Sequence, residues 1–205
     1  MGAVHDVRLL TVCGSLQTKS SNRAALDAAS IVAMAAGASV DNFDRLAEIP
    51  AFDADRTDEP IDVVDDWRGR VRGADVVLAA TPEYAGAMAG ALKNAFDWLV
   101  SSGELYRKPV AVLSAGTSGG LHARRMLAQT LTWQGAYVVA ELGIDSARTK
   151  FDGPHLNDQR TATAIASLTR TLLAAVVMSP GEVVALATQV VGSLGIDIVH
   201  IVPAG

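Results

Sequence analysis

Along most of the chain, apolar runs of strand length alternate with stretches of helical periodicity, and this alternation constrains the fold more than any single residue does. The runs Arg8–Cys13, Ser39–Phe43, Ala74–Ala80, Pro109–Leu113 and Ala136–Leu142 are followed in turn by helix-like stretches over 22–36, 61–71, 90–100, 120–133 and 158–178. Five βα repeats of this kind predict a parallel sheet covered by helices on both faces. The last stretch places Ile165, Leu168, Leu172 and Val176 on one side, the stripe of a helix docked on a sheet.

With 205 residues, half of them hydrophobic, the chain can form one domain with a substantial core. The expected unit is 1–178, followed by a C-terminal extension over 179–205. A net charge of -5 without a basic tract lacks the clustered Lys and Arg that nucleic acid or an anionic membrane requires of a partner. The only cysteine, Cys13, ends the first apolar run, so no intramolecular disulfide can form. It reads as a small buried hydrophobe in a reducing, cytoplasmic setting. Residues 1–6 show no basic region followed by an apolar core, so no secretory signal is expected. The apolar stretch 183–202 is interrupted by Gln189, Gly192, Gly195, Asp197 and His200, which argues against a membrane span. His5, His122, His155 and His200 lack metal-ligand spacing, and no metal is expected.

Ligand chemistry gathers in three loops, each following a strand-like run. The first, Gly14-Ser-Leu-Gln-Thr-Lys-Ser-Ser-Asn22, opens a helix near Ser21. Free N–H groups at a helix start and the positive end of its dipole suit a phosphate, and Ser15, Thr18, Ser20, Ser21 and Asn22 add short donors. The same residue types also simply cap helices. The second loop begins Thr81-Pro-Glu-Tyr-Ala-Gly86 and runs into a helix with Leu92, Ala95, Phe96 and Leu99 at helical spacing. The third, Ser114-Ala-Gly-Thr-Ser-Gly-Gly120, is built of small residues that let backbone approach a flat ligand, although a tight turn into a helix asks for the same residues. In an open parallel sheet, ligands bind at such loops, beyond the carboxyl ends of the strands. The lack of Gly-x-Gly-x-x-Gly argues against a Rossmann dinucleotide site.

The spelling of the second loop is specific. Thr81 to Trp98 resembles the Pro-Glu-Tyr-Asn…Pro-Gly-x-Leu-Lys-Asn-Ala-x-Asp-Trp signature of the NADPH-dependent FMN reductase family, the flavodoxin-like quinone and chromate reductases. Pro82, Glu83, Tyr84, Gly90, Leu92, Lys93, Asn94, Asp97 and Trp98 all fall in register. The first loop is similar to that family's Gly-Ser-Leu-Arg-x-x-Ser-x-Asn phosphate loop at Gly14, Ser15, Leu16, Ser20 and Asn22. The third looks like the family's contact beneath the pyrimidine edge of the flavin. The resemblance covers roughly Leu9 to Met178 and implies an α/β, flavodoxin-like three-layer sandwich with a five-stranded parallel sheet of order 2-1-3-4-5. It also implies bound FMN, NADPH or NADH as electron donor, a quinone or similar small molecule as acceptor, and a homodimer or homotetramer. The residues expected on the cofactor are Ser15, Gln17, Ser20, Ser21, Asn22, Pro82, Glu83, Tyr84, Ala85, Ser114, Gly116, Gly119 and Gly120. No side chain is expected to act as acid or base, because the flavin carries the reaction. Three positions depart from the family: Gln17 stands for Arg, Ala85 for Asn and Ala89 for Pro. The first departure removes a charge-assisted phosphate bond, for which Lys19 or Arg23 can compensate. The second removes an amide near the flavin.

Two other functional readings stay open on the sequence. A flavin-binding electron-transfer or regulatory module without efficient NAD(P)H turnover would look nearly the same. Gly116-x-Ser118-x-Gly120 also spells the nucleophile elbow of a serine hydrolase, and Asp145 or Asp152 followed by His155 or His200 keeps the order Ser, Asp, His. That reading leaves the first two loops unexplained. Trp67 and Trp133 are expected to pack against neighbouring elements, and Trp98 lies in a segment the family associates with subunit contacts. In the tail, Pro180-Gly181 breaks the preceding helix, Val184, Leu186, Ala187, Val190, Val191 and Leu194 line a further one, and Ile196 to Val202 alternates weakly like a strand. So apolar a tail needs cover. Either its own domain supplies it or, as the favoured expectation, a neighbouring subunit does.

Overall fold

The computed structural model describes residues 6–203; the N-terminal signal reading and His5 fall largely or wholly outside them. Strands β1 (Arg8–Cys13), β2 (Ser39–Phe43), β3 (Val76–Ala80), β6 (Pro109–Ala115) and β7 (Tyr137–Ile144) form a five-stranded sheet in the order β2-β1-β3-β6-β7. All its pairings are parallel. Counting these strands alone, the order is the expected 2-1-3-4-5. A short antiparallel hairpin, β4 (Glu83–Tyr84) and β5 (Ala87–Met88), sits in the second loop.

The sequence dictates the layering. Every residue of β3 is buried, as a central strand covered on both faces requires, whereas edge strand β2 is largely exposed. Alternate residues of β1 serve two cores. Leu10 and Val12 face helices α2 (Asp62–Gly73), α3 (Gly90–Asp97) and α4 (Leu121–Trp133), and Leu9 and Cys13 face α1 (Ser21–Ala35) and α6 (Gln159–Ala174). Trp67 is fully buried, packs 4.7 Å from Phe43 and donates its indole N–H to the Ala95 carbonyl at 2.8 Å. Cys13 is buried as expected, and burial pushes its thiol pKa up.

Two expectations in this part of the chain are corrected, the strand over 196–202 and the packing of Trp133. Helix α7 (Pro180–Ser193), started by a Ser179–Glu182 capping box, lays Val183, Ala187 and Val191 against its own domain beside edge strand β7. Leu194 and Ile196 are buried as well, so this face of the tail is covered within the chain, while Ile198 and Val199 stay exposed. Ile196 to Val202 forms no strand: Asp197 accepts from the Val199 amide at 3.1 Å and starts a 3-10 turn over Ile198–His200. Trp133 is 62% exposed rather than packed, with its ring 4.2 Å from that of His200. Trp98, by contrast, is fully buried inside its own chain.

Candidate flavin site

From β1 the chain continues to β2 on one side and from β3 to β6 on the other, so the loops after these two adjacent strands diverge and open a crevice. The crevice holds a cavity of about 460 Å³, within the range of small-molecule sites. Eleven of the thirteen expected residues line it: Ser15, Gln17, Ser20, Ser21, Asn22, Pro82, Glu83, Tyr84, Ser114, Gly116 and Gly120. Ala85 and Gly119 do not.

The first loop is open and rich in donors. From Leu16 to Asn22, the only backbone amide with an acceptor among the described residues is that of Gln17, which reaches Ser15 Oγ at 3.4 Å. Ser20 caps α1, its hydroxyl accepting from the Arg23 amide at 3.4 Å, while Lys19 adds a cation to the cavity wall. Asn22 lies at the wall, but its side chain is spent elsewhere. It donates to the Ala115 carbonyl at 3.0 Å and accepts from the Ala115 amide at 2.9 Å, a two-way bond that ties the start of α1 to the end of β6. This residue therefore braces two loops together, and the neighbouring amides and hydroxyls are the donors left free at the wall.

The second loop is held from behind. Thr81 Oγ1 accepts from the Ala89 amide at 3.0 Å and donates to the Pro82 carbonyl at 3.0 Å, closing the base of the hairpin. Glu83 accepts from the Ala123 amide of α4 at 3.1 Å, and Tyr84 stands 49% exposed at the cavity mouth. Ala85 and Gly86 form the two-residue turn, with φ of 50° and 73°, the pattern for which Asn-Gly is the favoured pair. Ala85 thus lies at a turn tip outside the cavity lining, where the departure from Asn bears on turn strain. The rest of the signature is scaffold. Asn94 and Trp98 both donate to the Pro50 carbonyl, at 2.8 and 3.0 Å, and Lys93 pairs with Asp97 one turn on.

The third loop is braced on every side. Gly116 donates to the Ile144 carbonyl at 3.0 Å, and the Ser146 and Ala147 amides return bonds to the Thr117 and Gly116 carbonyls, each at 3.0 Å. Gly120, with φ of 60°, packs so tightly that a Cβ there would lie 2.1 Å from Ser114 Oγ. The Ser114 hydroxyl is buried and has no partner within the chain among the described residues. Gly119 turns its carbonyl outward to Arg124 Nε at 2.9 Å, which explains why it misses the lining.

Sequence reasoning missed a fourth wall. Ser146, Ala147, Arg148 and Thr149, in the loop after β7 and the short α5 (Ala147–Lys150), also line the cavity. They carry no motif. The one local sign is Ser146, held at φ 47° where glycine is usual.

The hydrolase reading fails on geometry. An elbow serine sits at the strained turn itself, but here positive φ falls on Gly119 and Gly120 while Ser118 pairs with Asp145 in an extended bridge. His155 lies in a hairpin strand, and His200 stacks on Trp133. Among the described residues, no group of three or more His, Cys, Asp or Glu could hold a metal ion, and no helix is long and apolar enough to cross a membrane.

The model of the NADPH-dependent FMN reductase family matches residues 7–149. The chain belongs to this family. It is 38% identical over 154 residues to an NAD(P)H-dependent FMN reductase of Pseudomonas aeruginosa, covering 72% of this chain and 82% of the relative. It is 34% identical over 140 residues to the quinone reductase of Escherichia coli K12, covering 65% and 73%. Among solved structures, FerB of Paracoccus denitrificans, a flavoenzyme NAD(P)H:(acceptor) oxidoreductase, superposes with a TM-score of 0.70 at 21% identity over 82% of this chain and 96% of that one. An archaeal flavodoxin gives 0.60 at 14% identity over 84% and 100%, which extends the likeness of fold. As a member of the family, the chain is an FMN-dependent oxidoreductase that takes electrons from NAD(P)H. Its cavity fits that cofactor: free amides at a helix start suit a phosphate, and the glycine-lined third loop, with its unpartnered Ser114 hydroxyl, suits a flat polar ring.

Proposed function

We propose that the cavity holds FMN non-covalently and that the enzyme passes electrons from NAD(P)H to quinones or similar small acceptors in the cytoplasm. The observation that carries this reading is the convergence of the loops after β1, β3 and β6 on one crevice. In it, the amides of 16–22 with Ser15, Gln17, Lys19, Ser20 and Ser21 hold the phosphate. Pro82, Glu83 and Tyr84 flank one side of the ring, and Ser114, Gly116 and Gly120 present the other loop to its edge. A bound flavin supplies both the hydride-accepting and the electron-donating chemistry, so this chain's part is to bind, orient and shield.

One cavity serves donor and acceptor in turn, which predicts a two-step exchange with parallel double-reciprocal lines. Assembly as a homodimer or homotetramer is supported by the exposed Val100, Met126 and Trp133, and light scattering of the intact protein tests it. The deciding experiment is the spectrum of freshly purified protein followed by anaerobic NADPH or NADH. Flavin peaks that bleach rapidly support the reductase, and peaks that bleach only with a protein donor would leave an electron-transfer module instead. Absence of flavin from protein incubated with FMN would remove the site.

A further inference from the structure

Arg124 closes the first turn of α4 and folds back on the loop that precedes its own helix. Its Nε donates to the Gly119 carbonyl at 2.9 Å, and its guanidinium lies against the Glu141 carboxylate on β7. The arginine side chain is only 11% exposed. Gly143 makes the room: a Cβ there would fall 2.7 Å from Arg124 Nη2 and 2.7 Å from the Gly119 oxygen.

The Gly119–Gly120 peptide is trans, as are all described peptide bonds, and both glycines are left-handed, with φ of 74° and 60°. In a trans peptide the carbonyl and the following N–H point in opposite directions. Fixing the Gly119 oxygen on Arg124, behind the loop, therefore turns the Gly120 N–H the other way, toward the cavity that Gly120 lines and Gly119 does not. That N–H has no acceptor among the described residues. The Ser114 hydroxyl, buried and also unpartnered, lies against the same glycine, where a Cβ would fall 2.1 Å from it. Two polar groups without partners meet at one spot on the wall, where a bound molecule would satisfy both.

We propose that Arg124 is a positioning residue for the flavin, which presents the Gly120 N–H to an acceptor on the bound ring by holding the Gly119 carbonyl out of the cavity. Glu141 and Gly143 in turn hold the arginine. The inference rests on the FMN reading above. A fixed donor facing the ring stabilises the more electron-rich reduced form more than the oxidised one, so Arg124 acts on the reduction potential as well as on affinity.

The test compares Arg124→Ala, Arg124→Lys and the volume-preserving pair Arg124→Met with Glu141→Gln, which leaves no stranded charge should the alanine variant fail to fold. FMN affinity is read by fluorescence titration of the apoprotein, and the midpoint potential of bound FMN by anaerobic spectroelectrochemistry. Arg124→Ala and the paired variant should each weaken FMN about tenfold, the equivalent of one hydrogen bond, and shift the potential to more negative values. Arg124→Lys, which keeps a donor within reach of the Gly119 carbonyl, should recover much of the potential. A paired variant that folds and keeps the wild-type affinity and potential overturns the inference while leaving the FMN reading intact. Wild-type apoprotein that fails to bind FMN overturns both.

Discussion

The first and third loops of the cavity are built on opposite plans. From Leu16 to Asn22 almost every backbone amide is without an acceptor among the described residues, and Leu16 is 60% exposed, whereas Ser114 to Gly120 is tied to β7, to the loop beyond it and to α4. The difference follows from what each loop must offer. A phosphate is bound by amides, and an amide already bonded within the protein is lost to the ligand, so the first loop gains by leaving its donors free. A flat ring is positioned by shape, and a platform that sags by a few tenths of an ångström loses contact along its whole edge, so the third loop gains by being fixed in advance. Asn22 joins the two, because its amide spans from the start of α1 to Ala115.

If the third loop depends on being fixed, the largest effect should come from Gly120→Ala. The new Cβ meets Ser114 Oγ at 2.1 Å and also requires φ of 60°, so the expected loss is roughly 2–5 kcal/mol of stability together with FMN binding. Gly116→Ala is the control in the same loop, since nothing lies within 4 Å of its Cβ and its φ is not positive. Urea denaturation of both variants checks the contrast, and equal losses would show that the loop tolerates no side chain anywhere.

Asn22→Asp comes next. The carboxylate keeps the acceptor for the Ala115 amide but replaces the donor with a charge facing the Ala115 carbonyl, at a cost of roughly 1–3 kcal/mol. Stability of the apoprotein and affinity for FMN should fall together, because the brace exists before the ligand arrives. Thermal melting without FMN separates this from a direct phosphate contact, which would reduce affinity and leave the apoprotein melt unmoved.

Gln17→Arg probes the open loop, where nothing has to be rearranged. A guanidinium at the cavity wall should strengthen FMN binding by about 0.5–1 kcal/mol, with the gain fading as salt is raised. Unchanged affinity at low salt would place the side chain away from the phosphate.

Much of this arrangement is legible in the sequence because fully buried parallel strands appear as uninterrupted apolar runs, and the loops that matter directly follow them. The sheet order came through the resemblance and holds, and eleven of the thirteen residues expected on the cofactor line one cavity. What stayed hidden are bonds between distant segments. Asn22 meets Ala115 from 93 positions away, and Asn94 and Trp98 reach back to Pro50, so residues that look like cofactor or interface ligands are in part struts. The wall from Ser146 to Thr149 depends on where β7 ends in space, and Ser, Ala, Arg and Thr in a row announce nothing. The tail is hard to place for a related reason: periodicity tells that a helix has an apolar face but not which surface covers it.

The hairpin between the two loops offers the smallest and sharpest contrast. Ala85 holds φ of 50° beside Gly86 at 73°, a two-residue turn whose left-handed conformation costs an alanine more than an asparagine, because the asparagine amide can hydrogen-bond the local backbone. Ala85→Asn should therefore stabilise the protein by about 0.5–1 kcal/mol, a rise of roughly 1–4 °C in Tm. Because Ala85 lies outside the cavity lining, FMN affinity should stay the same. A gain in stability without a gain in affinity would show that the Glu83–Tyr84 wall is already set by Thr81 and the Ala123 amide, making the hairpin a fixed platform like the third loop. Should affinity rise along with Tm, the hairpin instead belongs with the open first loop, as a part that FMN must order on binding.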